Sequence, residues 1–91
     1  MDLIEDYLER KTKRLSKRSI IEYRRDLSYL EEWFNKRNTE LKTVSSKELS
    51  KYIELVGVGN KATNRKLSVF RSFYSFLKNE EVIKDNPTEK I

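Results

Sequence analysis

Residues 16–36 read SKRSIIEYRRDLSYLEEWFNK, and their spacing decides the fold class. Ile20, Tyr23, Leu27, Leu30 and Phe34 recur at intervals of three, four, three and four. That is the period of an α-helix, and it draws one apolar stripe along the segment. Trp33 widens the stripe, while Arg18, Glu22, Arg25 and Tyr29 fall on another face. Ser16 is a suitable N-cap, because its hydroxyl can accept a free N–H of the first turn. The pattern predicts a helix from about Lys17 to Lys36.

The helical period persists on both sides of this stretch. Upstream, Leu3, Ile4, Tyr7 and Leu8 share one side of a helix expected from about Leu3 to Lys11. Asp2 can cap it, and Glu5, Asp6 and Glu9 suit its positive amino end. Downstream, NKRNTELKTV (35–44) is a polar connection anchored by Leu41 and Val44. Ser45 and Glu48 form an S-x-x-E capping box, so a third helix starts near Ser46. Its buried face is Leu49, Tyr52, Ile53 and Val56, and Gly57 suits its C′ position. Asn60 can cap a fourth helix from about Lys61 to Asn79. Leu67, Phe70, Phe73, Tyr74 and Leu77 form that helix's apolar face, with Phe76 near the edge. Val82 and Ile83 should tuck back onto the core. Pro87 makes Asn86 a boundary, since the residue before proline avoids the helical region. No segment alternates like a strand, and no internal repeat occurs. The expected fold is all-α, a small bundle of four or five helices. Residues 1–85 form the domain, and 86–91 are its exit.

Composition narrows the chemistry. Lys and Arg number 20 against 15 Asp and Glu, for a net charge of +5, and charged residues are 38% of the chain. Hydrophobic residues are only 36%, yet 11% are aromatic, which argues for a core rather than disorder. The chain has no cysteine and no histidine, so it lacks thiolate and imidazole ligands, disulfides and a His general base. Two glycines leave no nucleotide-binding loop. No apolar run approaches the ~20 residues of a membrane span, and MDLIEDYLER is not a signal sequence. Glu31–Glu32, Glu80–Glu81 and Asp2/Asp6 lack the loop spacing of a metal or acid/base site. Tyr7, Tyr23, Tyr52 and Tyr74 lie on apolar stripes, and none of the five tyrosines is read as catalytic. The expectation is a soluble, cytoplasmic, basic domain with no cofactor, no metal, no membrane and no catalytic group of its own.

Two basic clusters carry the functional signal. From Arg10 to Arg18, nine residues hold six positive charges and no negative one. The run leads into the second helix, where side chains and free N–H groups can face a phosphate together. The fourth helix opens in the same way, with Lys61, Thr63, Asn64, Arg65 and Lys66. Asn and Arg are the side chains that read adenine and guanine edges in a major groove. A solvated charged surface is the plainer reading of either cluster alone. Phe70, Phe73, Tyr74 and Phe76 could stack on single-stranded bases, but their helical spacing assigns them to the core.

Three segments also resemble a known family. LSKRSIIEYRRDLSYLEEWF (15–34) is similar to the LS-x-x-T-I-x-x-Y-x-x-D-L stretch of the tyrosine recombinases (phage integrases), in their N-terminal core-binding, SAM-like domain. Ser16, Ile20, Tyr23, Asp26 and Leu27 occupy that pattern, and Ser19 stands for the usual Thr. LKTVSSKELSKYIELV (41–56) resembles the family's next helix. ATNRKLSVFRSFYSFLKNEEVIKDNPTEKI (62–91) resembles its closing segment, through Thr63, Leu67, Ser68, Arg71, Phe73, Tyr74, Leu77, Asn86 and Pro87. The resemblance implies a SAM-like bundle forming half of a C-shaped clamp around DNA, with the second and fourth helices at the major groove. It implies that Asn86–Pro87 opens the linker to a catalytic domain carrying Arg, Lys, His and a nucleophilic Tyr, and that recombinase copies assemble on DNA. This chain would then be a non-catalytic fragment or a stand-alone binding module. Two positions depart from the family: Glu22 puts a negative charge on the expected DNA face, and Glu80–Glu81 replaces a glycine often found before the linker.

The site expected on these grounds is Lys13, Arg14, Lys17, Arg18, Ser19, Arg25, Lys61, Thr63, Asn64, Arg65 and Lys66, facing double-stranded DNA. Arg18, Arg25, Asn64 and Arg65 are the candidates for base edges. A helical protein-interaction module with its basic face toward an acidic partner is the alternative. A binder of RNA or single strands is the third reading. The duplex reading requires the amino ends of the second and fourth helices to lie on one side of the molecule.

Overall fold

The first three helices begin where a side chain satisfies free N–H groups. The computed structural model describes residues 2–56, 60–89 and 91, and for residues 60–63 the backbone alone. Helix α1 spans Leu3–Lys11, and the Asp2 carboxylate accepts from the N–H groups of Ile4 and Glu5. Helix α2 spans Lys17–Asn35, and Ser16 Oγ accepts from the Ser19 N–H at 3.1 Å. A single 3₁₀ turn follows at Leu41–Thr43. Helix α3 spans Ser46–Val56. Its capping box closes in both directions: Glu48 N–H donates to Ser45 Oγ, and Ser45 N–H donates to Glu48 Oε1, each at 3.1 Å. Helix α4 spans Asn60–Asn79. The expected Gly57 C′ position and Asn60 side-chain cap lie outside the described residues, as do the side chains of Lys61 and Thr63. Among the described residues there is no strand, and no helix is long and apolar enough to cross a membrane.

The core mixes aromatic rings with a larger number of aliphatic side chains and is shared by all four helices. Tyr7 of α1 meets Phe73 of α4 edge-on, with ring centroids 5.5 Å apart, and its hydroxyl donates to Ser72 Oγ at 2.7 Å. Tyr52 of α3 packs on Trp33 and Phe34 of α2 and on Phe70 of α4, at 5.2, 5.9 and 6.1 Å. Leu27, Leu30 and Phe34 of the α2 stripe are fully buried, whereas Ile20 and Tyr23 are covered only in part. Each fully buried ring or branched side chain contributes about 1.5–3 kcal/mol by leaving water. Leu41 and Val44 anchor the connection before α3, and the buried Tyr74 hydroxyl donates to the Leu41 carbonyl at 2.9 Å.

On α4 the buried arc is Val69, Phe70, Phe73, Tyr74 and Leu77, with Leu67 and Phe76 at its edges. Sequence spacing included Leu67 and omitted Val69. The helix is flanked by α1, α2 and α3 together, so its covered arc is wider than one stripe.

Both long helices end in Schellman turns. After α2, Thr39 N–H donates to the Phe34 carbonyl, and Asn38 takes a φ of 58°. After α4, Val82 N–H donates to the Leu77 carbonyl and Glu81 N–H to that of Lys78, with Glu81 at a φ of 60°. This left-handed C′ residue is commonly glycine. The turn returns Val82 and Ile83 to the core, as expected. Residues 86–88 then lie buried against α4. Asn86 Oδ1 accepts from both the N–H and the hydroxyl of Thr88, and its amide donates to Ser75 Oγ at 3.3 Å.

Candidate nucleic-acid interface

The first turns of α2 and the second turn of α4 meet at one carboxylate. Glu22 faces Arg18 through Oε1 at 3.4 Å and Arg65 through Oε2 at 4.0 Å. The Arg65 guanidinium also lies 3.7 Å from Oδ2 of Asp26. The four side chains therefore alternate in sign along one surface: Arg18, Glu22, Arg65, Asp26. Their exposure falls inward, with the Arg18 side chain 89% exposed, Arg65 48%, Glu22 30% and Asp26 3%. Helix periodicity explains the placement. Residues 18, 22, 25 and 29 are spaced three or four apart and share one outward strip of α2, while Asp26 lies one step round, where α4 covers it.

The outward strip is not purely charged. Arg25 is exposed, and beside it Ile21 and Tyr29 are 63% and 56% exposed, two of the three large hydrophobic side chains left in water among the described residues. Ile21 was not among the expected site residues. Its signal was present, since it sits one step off the Ile20 stripe between Arg18 and Arg25. On the flank of this strip, Lys66 is half-buried and lines a groove of about 260 Å³ with Tyr29, Trp33 and Tyr52. Burial, and then the Asp26 charge, raise the Tyr52 phenol above its ordinary pKa.

The remaining expected residues divide. Lys17 and Asn64 are exposed. Ser19 is half-buried and committed to the α2 cap, its hydroxyl accepting from Ser16 Oγ at 3.0 Å. Lys13 and Arg14 lie beside the last turns of α4, where Lys13 lines a groove with Glu80 and Arg14 one with Ser72, Ser75 and Asn79. That is the far end of α4 from Arg65. Among the described residues no ion pair engages Lys13, Arg14, Lys17, Arg25 or Lys66. Several cations outside the expected site are spent on structure. Arg24 forks onto Glu5 of α1, which raises its pKa, and Arg10 meets Glu80 at 2.9 Å. Arg71 donates to the Ile91 carbonyl at 2.7 Å.

The family model described as "Phage integrase, N-terminal SAM-like domain" matches residues 4–81. The chain belongs to that family. Over its whole length this SAM-like domain is also similar to the tyrosine recombinase XerD of Rickettsia prowazekii (strain Madrid E), with 31% identity over 96 aligned residues. The SAM-like domain spans 31% of that relative's length. The resemblance read from LSKRSIIEYRRDL and from the α4 segment therefore holds at the level of the family. Within the SAM-like domain the departure at Glu22 now has a structural setting, because its carboxylate is shared by two arginines rather than left bare.

Proposed function

We propose that this chain is the DNA-gripping, core-binding domain of a site-specific tyrosine recombinase or integrase. It holds double-stranded DNA with the amino-terminal turns of α2 and α4 and carries no catalytic group. The observation that supports this reading best is the convergence of Arg18 and Arg65 on Glu22, which joins two cationic helix starts into one surface in a member of this family. Lys13, Arg14, Lys17, Arg18, Lys61, Arg65 and Lys66 neutralise phosphates, and Arg18, Arg25, Asn64 and Arg65 reach base edges. In the intact protein the segment from Asn86 leads to a catalytic domain, and copies assemble on the recombination site. The domain alone binds weakly, because half of the clamp is missing.

Titration of a labelled duplex at several salt concentrations tests the proposal. Engaging about five to seven phosphates gives a log–log salt slope between roughly −4.5 and −6. Arg18→Ala and Arg65→Ala each weaken binding and reduce the slope by about one, with the fold intact by circular dichroism. Absence of binding at low salt would favour the interaction module for an acidic partner. Tighter binding to single strands would favour the third reading.

A further inference from the structure

The buried carboxylate behind Arg65 has no evident place in a cationic surface. Asp26 is 4% exposed, and its Oδ2 has no hydrogen-bond partner among the described residues. The group facing that oxygen is the Arg65 guanidinium at 3.7 Å. A carboxylate moved out of water without a hydrogen bond is costly, and a nearby opposite charge offsets only part of that cost. Packing alone does not call for an acid here, because α2 already supplies Leu27 and Leu30 to the core.

We infer that Asp26, assisted by Glu22, is a positioning residue that aims Arg65 at the DNA. The inference rests on the DNA-binding reading above and specifies how that surface works. Arg65 reaches across from α4 with its inner edge held by two carboxylates of α2, at 3.7 and 4.0 Å. Both distances exceed a hydrogen bond, so the guanidinium is oriented electrostatically while, among the described residues, its N–H donors remain unspent. About half of the side chain faces solvent. A guanidinium held in one plane with free donors is suited to bidentate recognition of a phosphate or a guanine edge. An unheld arginine would lose rotamer freedom on binding and gain less. The acids on this face therefore help binding through Arg65, although their charge alone opposes DNA.

This yields an effect opposite in sign to simple electrostatics. Removing a negative charge near a phosphate-binding surface should tighten binding. If Asp26 positions Arg65, Asp26→Asn instead weakens binding about fivefold or more, within the range of coupled neighbours. The probe is a labelled duplex selected from a randomised pool by the wild-type chain. Four proteins are compared: wild type, Asp26→Asn, Arg65→Ala and the double variant, each checked by thermal melting. The expected result is a loss in Asp26→Asn that disappears in the Arg65→Ala background. A merely structural role would give the same loss in both backgrounds, and that result overturns the inference. So does Asp26→Asn binding as tightly as wild type or more tightly. Failure of the wild-type chain to retain any duplex would overturn the DNA reading itself, a distinguishable outcome. If Asp26→Asn does not fold, Arg65→Lys decides. Lysine keeps the charge and its phosphate contact but cannot address both carboxylates with a planar fork, so its affinity falls clearly below that of wild type, toward that of Arg65→Ala. Wild-type affinity in Arg65→Lys overturns the inference.

Discussion

Replacing Glu81 with glycine should stabilise the domain, although it deletes a charge and a side chain. Glu81 sits at the C′ position of α4 with a φ of 60°, and its N–H and that of Val82 close the Schellman turn onto Lys78 and Leu77. For a residue with a Cβ, the left-handed region costs roughly 1–2 kcal/mol, because Cβ crowds the following carbonyl. Glycine removes that cost but adds about 0.4–1 kcal/mol of unfolded-chain entropy. The difference leaves a net gain of about 0.5–1 kcal/mol. For a domain of this size the melting midpoint rises by roughly 2–8 °C. Glu81 is exposed, and among the described residues it enters no ion pair, so little else is lost. Glu80 is the control. Its N–H donates to the Phe76 carbonyl within the helix, and its carboxylate meets Arg10 at 2.9 Å. Glu80→Gly should therefore lower the midpoint. Thermal unfolding followed by circular dichroism reads both variants, with urea titration to check that the m-value is unchanged. An unchanged or lower midpoint in Glu81→Gly, or a rise of equal size in both variants, would refute the argument from left-handed strain.

Three further outcomes follow from the core and its edge. Phe73→Ala removes a fully buried ring seated between Tyr7 and Tyr74 and should cost about 3–5 kcal/mol in urea unfolding; a cost below about 1 would mean that the site collapses onto the gap. Tyr74→Phe keeps the ring but strands the buried Leu41 carbonyl, and should cost about 1–3 kcal/mol with no change in helix content. Glu31 has its pKa raised by burial first and by the Asp2 charge second. Between the ordinary glutamate value and that raised value the folded state holds more protons than the unfolded one. Stability from this group therefore falls as pH rises through the window and stays lower above it. Glu31→Gln should be more stable than wild type at neutral pH and lose that advantage in acid below the ordinary glutamate range, measured as urea midpoints; an equal offset at both pH values would count against it.

Most of the architecture was legible because it is locally determined. The Asp2 and Ser16 caps, the Ser45–Glu48 box and the 20–34 stripe each depend on residues within a few positions of one another, and they appear where spacing puts them. What escaped depends on neighbours distant in sequence. Val69 is buried because three helices flank α4, which one stripe does not encode. Asp26 fits the family pattern, yet nothing in its local spacing shows that its carboxylate is buried. The packing of the chain after Ile83 was not legible either: Asn86 accepts from Thr88 and donates to Ser75 of α4, well back along the sequence.

The basic face shows the same limit in a form that bears on function. Counting Lys and Arg from 10 to 25 treats every cation as available, but Glu5 of α1 holds Arg24, and Glu80, just past the end of α4, holds Arg10. Such pairs are worth little to stability at an exposed surface, yet they fix where a side chain points. Lys17 and Arg25, which enter no ion pair among the described residues, flank the place where Arg18 of α2 and Arg65 of α4 share Glu22. A field summed over the whole chain would attract any polyanion. On the proposed reading, discrimination between duplexes comes from donors with fixed directions, and Arg65, set between Glu22 and Asp26, is the candidate for that role. If non-specific attraction and directed contact separate in this way, Lys17→Ala should weaken binding to all duplexes alike. Arg65→Ala should narrow the gap between a selected site and a random one, and equal losses on both duplexes would leave the face with charge but no reading function.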